Sequence, residues 1–500
     1  MTDCYQTLEN HFKRLARIDH ARTFLQWDHM VMMPPGGNQS RAEAIAELTA
    51  LRHELLTSPE LGELIEKAES QTQDPIRQRS LLEMERMYRR AVCLPAELVK
   101  AKTLAGSICE HGWRSQRHAN DWQGFLANFR DVVRLSREEA QARQAADPGR
   151  FPTPYDALLD LYCTGDSSVF LTETFSRLKL ELPGLVREVA EKQKDEPVAN
   201  LQGSYSIADQ QQLNRELMVC LGFDFNRGRQ DVSAHPFSTG GRGDQRITTR
   251  YRESEFLEAL LATAHETGHA AYEDGLPEIW DGLPIGLARN MCIHESQSLF
   301  FEKQLFLSRP FLVFFSATIH GLLPSTARHD GAALWTAATR VQPSYIRVEA
   351  DELTYPLHVI LRWEIESGLI NGSLAEDDIP EIWDAKMIEY LGLSTRDNYR
   401  DGCLQDMHWS DGSFGYFPSY TIGALNSAQL AAALRKSHSD WQERLAAGEV
   451  GFARDWLREN IWRKASSMES QEIIRAACGE GTDPEHFLNH IRDRYLLGLY

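Results

Sequence analysis

"LLATAHETGHAAYEDG", residues 260–275, sets two histidines four positions apart with a glutamate after the first. The apolar spacing around it predicts a helix over 254–274, stopped by Gly275 and Pro277. Residues four apart share a helix face, so His265 and His269 can turn imidazole nitrogens toward one ion. Glu266 then lies beside that ion, where it could take a proton from a bound water. An ordinary amphipathic helix could carry the same residues, so the reading depends on a third ligand.

A catalytic zinc takes three protein ligands and keeps one position open. "NMCIHESQSLFFEKQLF" (290–306) follows a Gly/Pro-rich turn and has helical periodicity of its own. Its Glu295 lies 26 residues beyond His269, a gap that fits a loop and a return on a neighbouring antiparallel helix. His294 competes for the same role. It sits about 100° round the helix from Glu295, so both cannot face one ion, and Glu295 is preferred. The expected metal set is therefore His265, His269 and Glu295, holding Zn²⁺, with another divalent ion such as Co²⁺ as an alternative.

The rest of the chain is consistent with an enzyme of this kind. Its 500 residues carry a formal net charge of -19, which argues against nucleic acid or an anionic membrane as partner. The opening "MTDCYQTLENHFKRL" has no apolar signal region, and "FLVFFSATIHGLL" (311–323) is too short to span a bilayer and reads as a buried helix. Eight scattered cysteines without a CxxC suggest reduced thiols and a cytoplasmic location. Stretches such as "RAEAIAELTALRHELL" (41–56) and "RQRSLLEMERMYRRAV" (77–92) give the 3.6-residue period of helices. Only 231–253, with the Gly-rich turn "STGGRGD", reads as a β-hairpin. The expectation is a mostly α protein with one small antiparallel sheet. It forms a single catalytic unit over 1–500, mainly helical to about 200, with the metal and substrate motifs in 230–425.

Several longer motifs fall in order along the chain: "WDHMVMMPPGG" (27–37), "HPF" (235–237), "DQRIT" (244–248), HExxH, "HESQS" (294–298), "IRVEADELTYPLHVILRWEIE" (346–366) and "GCLQDMHWSDGSFGYFPSYTIG" (402–423). Together they resemble the carboxypeptidase Taq family of zinc metallocarboxypeptidases, and the resemblance extends over most of the chain. It implies a helical, cleft-containing fold like that of angiotensin-converting enzyme and neurolysin, a bound metal ion and a homodimer.

Further roles follow from the chemistry. Glu266 would act as general base, and His408 and Tyr420, chosen by resemblance to the wider helical zinc peptidases, would donate to the oxyanion. Tyr416 on the same loop has either a direct role or a packing one. A carboxypeptidase must also grip a terminal carboxylate. Arg347 is the candidate, because a guanidinium fork matches that group, and the resemblance supports it. Arg362 reads as structural. Asp244, Arg246 and Thr248 alternate on one strand face, whose edge could pair with an extended peptide or support the histidine helix. Support is preferred for Asp244 and Arg246. His235 could bond the substrate backbone, or serve as a cap or core residue. Asp351 and Glu352 are candidates for fixing the metal histidines from behind, or else for a place on a helix surface.

The leading reading is a zinc carboxypeptidase that takes single residues from peptides with a free C-terminus. Its rivals are a dipeptidyl carboxypeptidase or oligoendopeptidase on the same scaffold, and a helical binding protein with a structural metal.

Overall fold

The computed structural model describes residues 3–500; Met1 and Thr2, the first two residues of the expected 1–500 unit, lie outside them. Helices dominate, and three apolar clusters organise them. The N-terminal helices Cys4–Val31, Asn38–Leu56, Pro59–Gln71 and Pro75–Val92 close over Leu8, Phe12, Ile65 and Met84. A second cluster gathers Phe125, Phe129, Phe175 and Trp383 around the buried helix Tyr355–Asn371. The third joins Leu260, Phe300, Phe311 and Trp462. The helix Arg309–Leu322 buries Phe311, Leu312, Phe315 and Ile319, as expected of the apolar stretch within it. No single helix among the described residues is long and apolar enough to cross a membrane.

Two helices straddle the seam between the second and third clusters. Met291–Leu299 gives Cys292 to one and Ile293 to the other. Pro418–Ser437 gives Ile422 and Leu425 to one, Leu430 and Leu434 to the other. The histidine helix, Leu257–Gly275, packs beside Met291–Leu299. It begins three residues later than its sequence suggests. The Glu255 carboxylate accepts from the backbone of Leu257 and Glu258, satisfying the first free N–H groups.

The expected small sheet is present, but only one of its two pairings is antiparallel. β2 (Phe237–Gly241) and β3 (Asp244–Thr249) form the hairpin, turned at Arg242–Gly243 with Gly243 at φ +76°. β1 (Gly228–Val232) lies parallel to β3 on its other side, so the sheet is mixed, in the order β1-β3-β2. The short link from β1 to β2 crosses the end of β3. Buried Thr248 pins it there, bonding the Phe237 N–H and Ser233 Oγ. The strand bearing Asp244, Arg246 and Thr248 is therefore central. Its backbone is paired on both sides, and it has no edge to offer a peptide.

Candidate active site

The histidine helix and Met291–Leu299 run antiparallel. Gln297 and Ser298 lie against Gly268, His294 against His269 and Glu273, and Glu302 against His265. Glycine sets this spacing. A Cβ on Gly268 would stand 2.6 Å from the Gln297 carbonyl oxygen. The close approach brings His265 Nε2 to 3.8 Å from Glu295 Oε1, and His269 Nε2 to 3.6 Å from Glu295 Oε2. One donor atom from each of these residues lies within 4.8 Å of the other two. They are the one such group found among the described residues.

The opposite ring nitrogens fix how the imidazoles present themselves. His265 Nδ1–H donates to Glu302 Oε2 at 3.0 Å, which leaves the Nε2 lone pair free. Behind His269 stands a relay. Glu273 Oε1 takes the His294 Nε2–H at 2.8 Å, and His294 Nδ1 then accepts from His269 Nδ1–H at 2.6 Å. Two lone pairs and a carboxylate thus converge, which is the donor chemistry of a divalent transition-metal site. His294 does not compete for the ion; it orients a residue that can hold it. Asp351 and Glu352 do not touch the histidines, and that expectation is corrected. Asp351 accepts from the backbone of Leu353 and Thr354, and Glu352 is tied to His490 and Arg494. Glu302 does the work expected of them. It lies on a π-helical continuation, Phe300–Phe306, two turns past Glu295, and that spacing was the signal available in the sequence.

Electrostatics follow from burial and these pairings. Burial alone would lower His265, but without an ion Glu295 and Glu302 hold it up at about 9, so a cation would take its place at Nε2 by displacing a proton. His269 falls well below the usual range, chiefly through burial and also through the neighbouring His294 and His265 rings. Lys303, with His265, holds Glu302 down at about 2 against the effect of burial. Burial pushes Glu266 up to about 7, against the pull of His265. A carboxyl with a raised proton affinity, beside the triad and not part of it, suits a proton acceptor.

The helix Pro418–Ser437 forms the facing wall, and glycine again permits the contact. A Cβ on Gly423 would lie 2.7 Å from Glu295 Cβ and Cγ. Tyr420 sits one turn earlier on that helix, its hydroxyl 3.3 Å from His408 Nε2. Tyr416 packs edge-on to Tyr420 and to Tyr162. Burial and the Arg347 charge bring His408 down to about 4, so it is neutral at pH 7. A cleft of about 700 Å³ runs past His265, Glu295, Lys303, Tyr355 and Ala424.

Arg347 is at the site but not free. Its Nε and Nη2 both donate to Asp406 Oδ1, at 3.0 and 2.8 Å, and its Nη1 donates to the Tyr355 hydroxyl at 2.6 Å. Its guanidinium lies 5.1 Å from the centre of the Tyr420 ring. Asp406 Oδ2 takes Arg362 at 2.6 Å, so one carboxylate clamps two buried arginines. Arg246 is engaged elsewhere. It pairs with Asp244 and lies over Phe24 and Trp27 of the N-terminal helix, fastening the sheet to it. His235 is exposed in the β1–β2 link, which removes its core alternative; only its backbone carbonyl is bonded, by Ser233 and Thr248.

Two imidazoles and a carboxylate converging in a cleft of a helical fold, with a glutamate beside the first histidine, define a metallopeptidase. The chain belongs to the carboxypeptidase Taq (M32) metallopeptidase family, whose model matches residues 7–495. It is 35% identical to thermostable carboxypeptidase 1 of Thermus thermophilus, the match covering 98% of each chain. It is 31% identical to carboxypeptidase 1 of Bacillus subtilis, over 97% of this chain and 96% of that one. Among solved structures, Trypanosoma cruzi metallocarboxypeptidase 1 superposes with a TM-score of 0.96 at 38% identity, over 99% of this chain and all of that one. Pyrococcus furiosus carboxypeptidase in an Apo-Mg form gives 0.95 at 33% identity, over 99% of both. The chain is accordingly a metallocarboxypeptidase, and the structural-metal binding protein falls away as a reading.

Proposed function

We propose that the ion is zinc, held by His265, His269 and Glu295, and that the enzyme releases single residues from peptides with a free C-terminus. The arrangement of lone pairs carries this reading: both Nδ1–H groups are committed behind the histidines, and both Nε2 atoms face Glu295. A divalent cation held there would supply Lewis acidity to the scissile carbonyl and to the attacking water. Glu266 takes the water's proton and returns it to the departing amine. Tyr420 O–H and the neutral His408 donate toward the developing oxyanion, and one such donor is typically worth about 3 to 4 kcal/mol. Tyr416 shapes the same wall.

Arg347 with Tyr355 remains the proposed grip on the terminal carboxylate, through the guanidinium edge that Asp406 leaves uncovered. Its commitment to Asp406 is the observation favouring the rival, a dipeptidyl carboxypeptidase or oligoendopeptidase. Mass ladders decide between them. The proposal expects single-residue steps on a free-acid peptide, about a hundredfold slower cleavage of its C-terminal amide, and a smaller gap in Arg347→Ala. Two-residue steps or internal cuts would establish the rival. His235 and Arg246 are proposed to act through the sheet, with Arg246 keeping it seated on the N-terminal helix. A cytoplasmic location, supported by eight free cysteines, and a homodimer complete the proposal. Light scattering on the purified protein tests the dimer.

A further inference from the structure

Away from the metal centre, a second cavity of about 800 Å³ opens between the N-terminal helices and the loop that leads into Met291–Leu299. Four arginines line it, Arg52, Arg86, Arg90 and Arg289, against one acid, Glu83. In a chain of net charge -19 this is a local reversal of sign.

The carboxylates nearby are oversubscribed. Glu83 Oε1 alone accepts from Arg79, Arg86 and Arg289, at 2.6, 2.9 and 2.7 Å. Glu469 Oε1 is shared by Arg79 and Arg86, and its Oε2 stands 3.6 Å from Arg289, beyond hydrogen-bonding reach. Asp160 is divided between Arg90 and Arg150. After these pairings, Arg86, Arg90 and Arg289 each keep a buried Nε–H with no partner. The Arg289 side chain is 1% exposed and that of Arg86 9%. The arginines of the wall thus share Glu83, Glu469 and Asp160 with Arg79 and Arg150, Arg52 has its own pair with Asp19, and positive charge exceeds negative around the cavity. Leu56, Met87 and Pro284 provide apolar wall between the charges.

We propose that this cavity binds a small multivalent oxyanion, the chemistry shared by phosphate esters and polycarboxylates. Guanidinium forks match either group bidentately. The site is also connected to the catalytic helices. Arg289 directly precedes Asn290, whose side chain caps Met291–Leu299, and the Arg289 backbone N–H donates to the Tyr272 hydroxyl on the histidine helix. An occupant would brace the start of the helix bearing Glu295.

The test is titration calorimetry on the full-length metal-loaded enzyme. Inorganic phosphate and tricarballylate are titrated separately, at an ionic strength held constant with sodium chloride. Wild type is compared with Arg90→Gln and Met87→Glu; the latter adds a negative charge to the cavity at a side chain that belongs to no ion pair. The proposal expects saturable binding of one anion per chain, weakened at least tenfold in both variants. Tighter binding of phosphate assigns a phosphate ester, and tighter binding of tricarballylate a polycarboxylate. Absence of saturable binding by either anion, or binding unchanged in Met87→Glu, overturns it. Should Arg90→Gln not fold, Met87→Glu alone decides.

Discussion

Gly423 touches Glu295 so closely that a methyl group at position 423 would stand 2.7 Å from the Glu295 Cβ and Cγ atoms. The third ligand is thus placed as much by a missing side chain on the facing helix as by its own. Gly423→Ala must push Glu295 toward the histidines or part the helices, at an overpacking cost of about 1 to 3 kcal/mol. The expected result is lost metal affinity in a protein that still folds. Gly184→Ala, where no atom lies within 4 Å of the added group, is the control and leaves metal content unchanged. Metal analysis of both purified variants checks this.

The groups behind the histidines should matter less than the ligands and more than their neighbours. Glu302→Ala and His294→Ala each remove the partner of a ligand's Nδ1 and should weaken metal binding about 10- to 100-fold. Glu295→Ala should lose the metal outright. Asp351→Asn, whose carboxyl serves only nearby backbone, should bind metal as wild type does. Competition titrations with a chelator order the four variants.

Asp406 holds Arg347 and Arg362, whose side chains are 5% and 0% exposed. Asp406→Ala leaves two buried guanidiniums without their counter-charge, and should destabilise the fold by about 3 to 5 kcal/mol. Denaturant unfolding measures the loss.

His408 gives a pH dependence with a definite sign. Its folded value is about 4, below the unfolded value of about 6.5, so the unfolded chain takes up a proton first as pH falls. The stability it contributes is complete above about pH 6.5 and declines as pH drops toward 4, by up to about 1.4 kcal/mol per unit. Unfolding free energies of the metal-free protein at pH 7 and pH 5 should differ less in His408→Gln than in wild type.

How much of this was legible in the sequence depended on range. His265, His269 and Glu266 follow from the helical period, and Glu295 from one turnaround between adjacent helices. The β2–β3 hairpin was readable from its glycine turn. β1 was not, because "GRQDV" has no apolar alternation and its parallel pairing depends on tertiary contact. The Arg347–Asp406 clamp joins residues 59 positions apart, and no local pattern announces it. Gly268 and Gly423 look like weak points in helices until the neighbouring backbone and side chain are seen.

The central claim is that Glu266 moves the proton while the ion is held by others. Glu266→Gln keeps the shape of the residue and all three proposed ligands, and removes only the acceptor. The decisive measurement pairs metal stoichiometry with turnover of a free-acid peptide on the same preparation. The account predicts wild-type metal content with hydrolysis reduced at least a thousandfold, about 4 kcal/mol of transition-state stabilisation. Hydrolysis near the wild-type rate, or loss of the metal along with the activity, would contradict it.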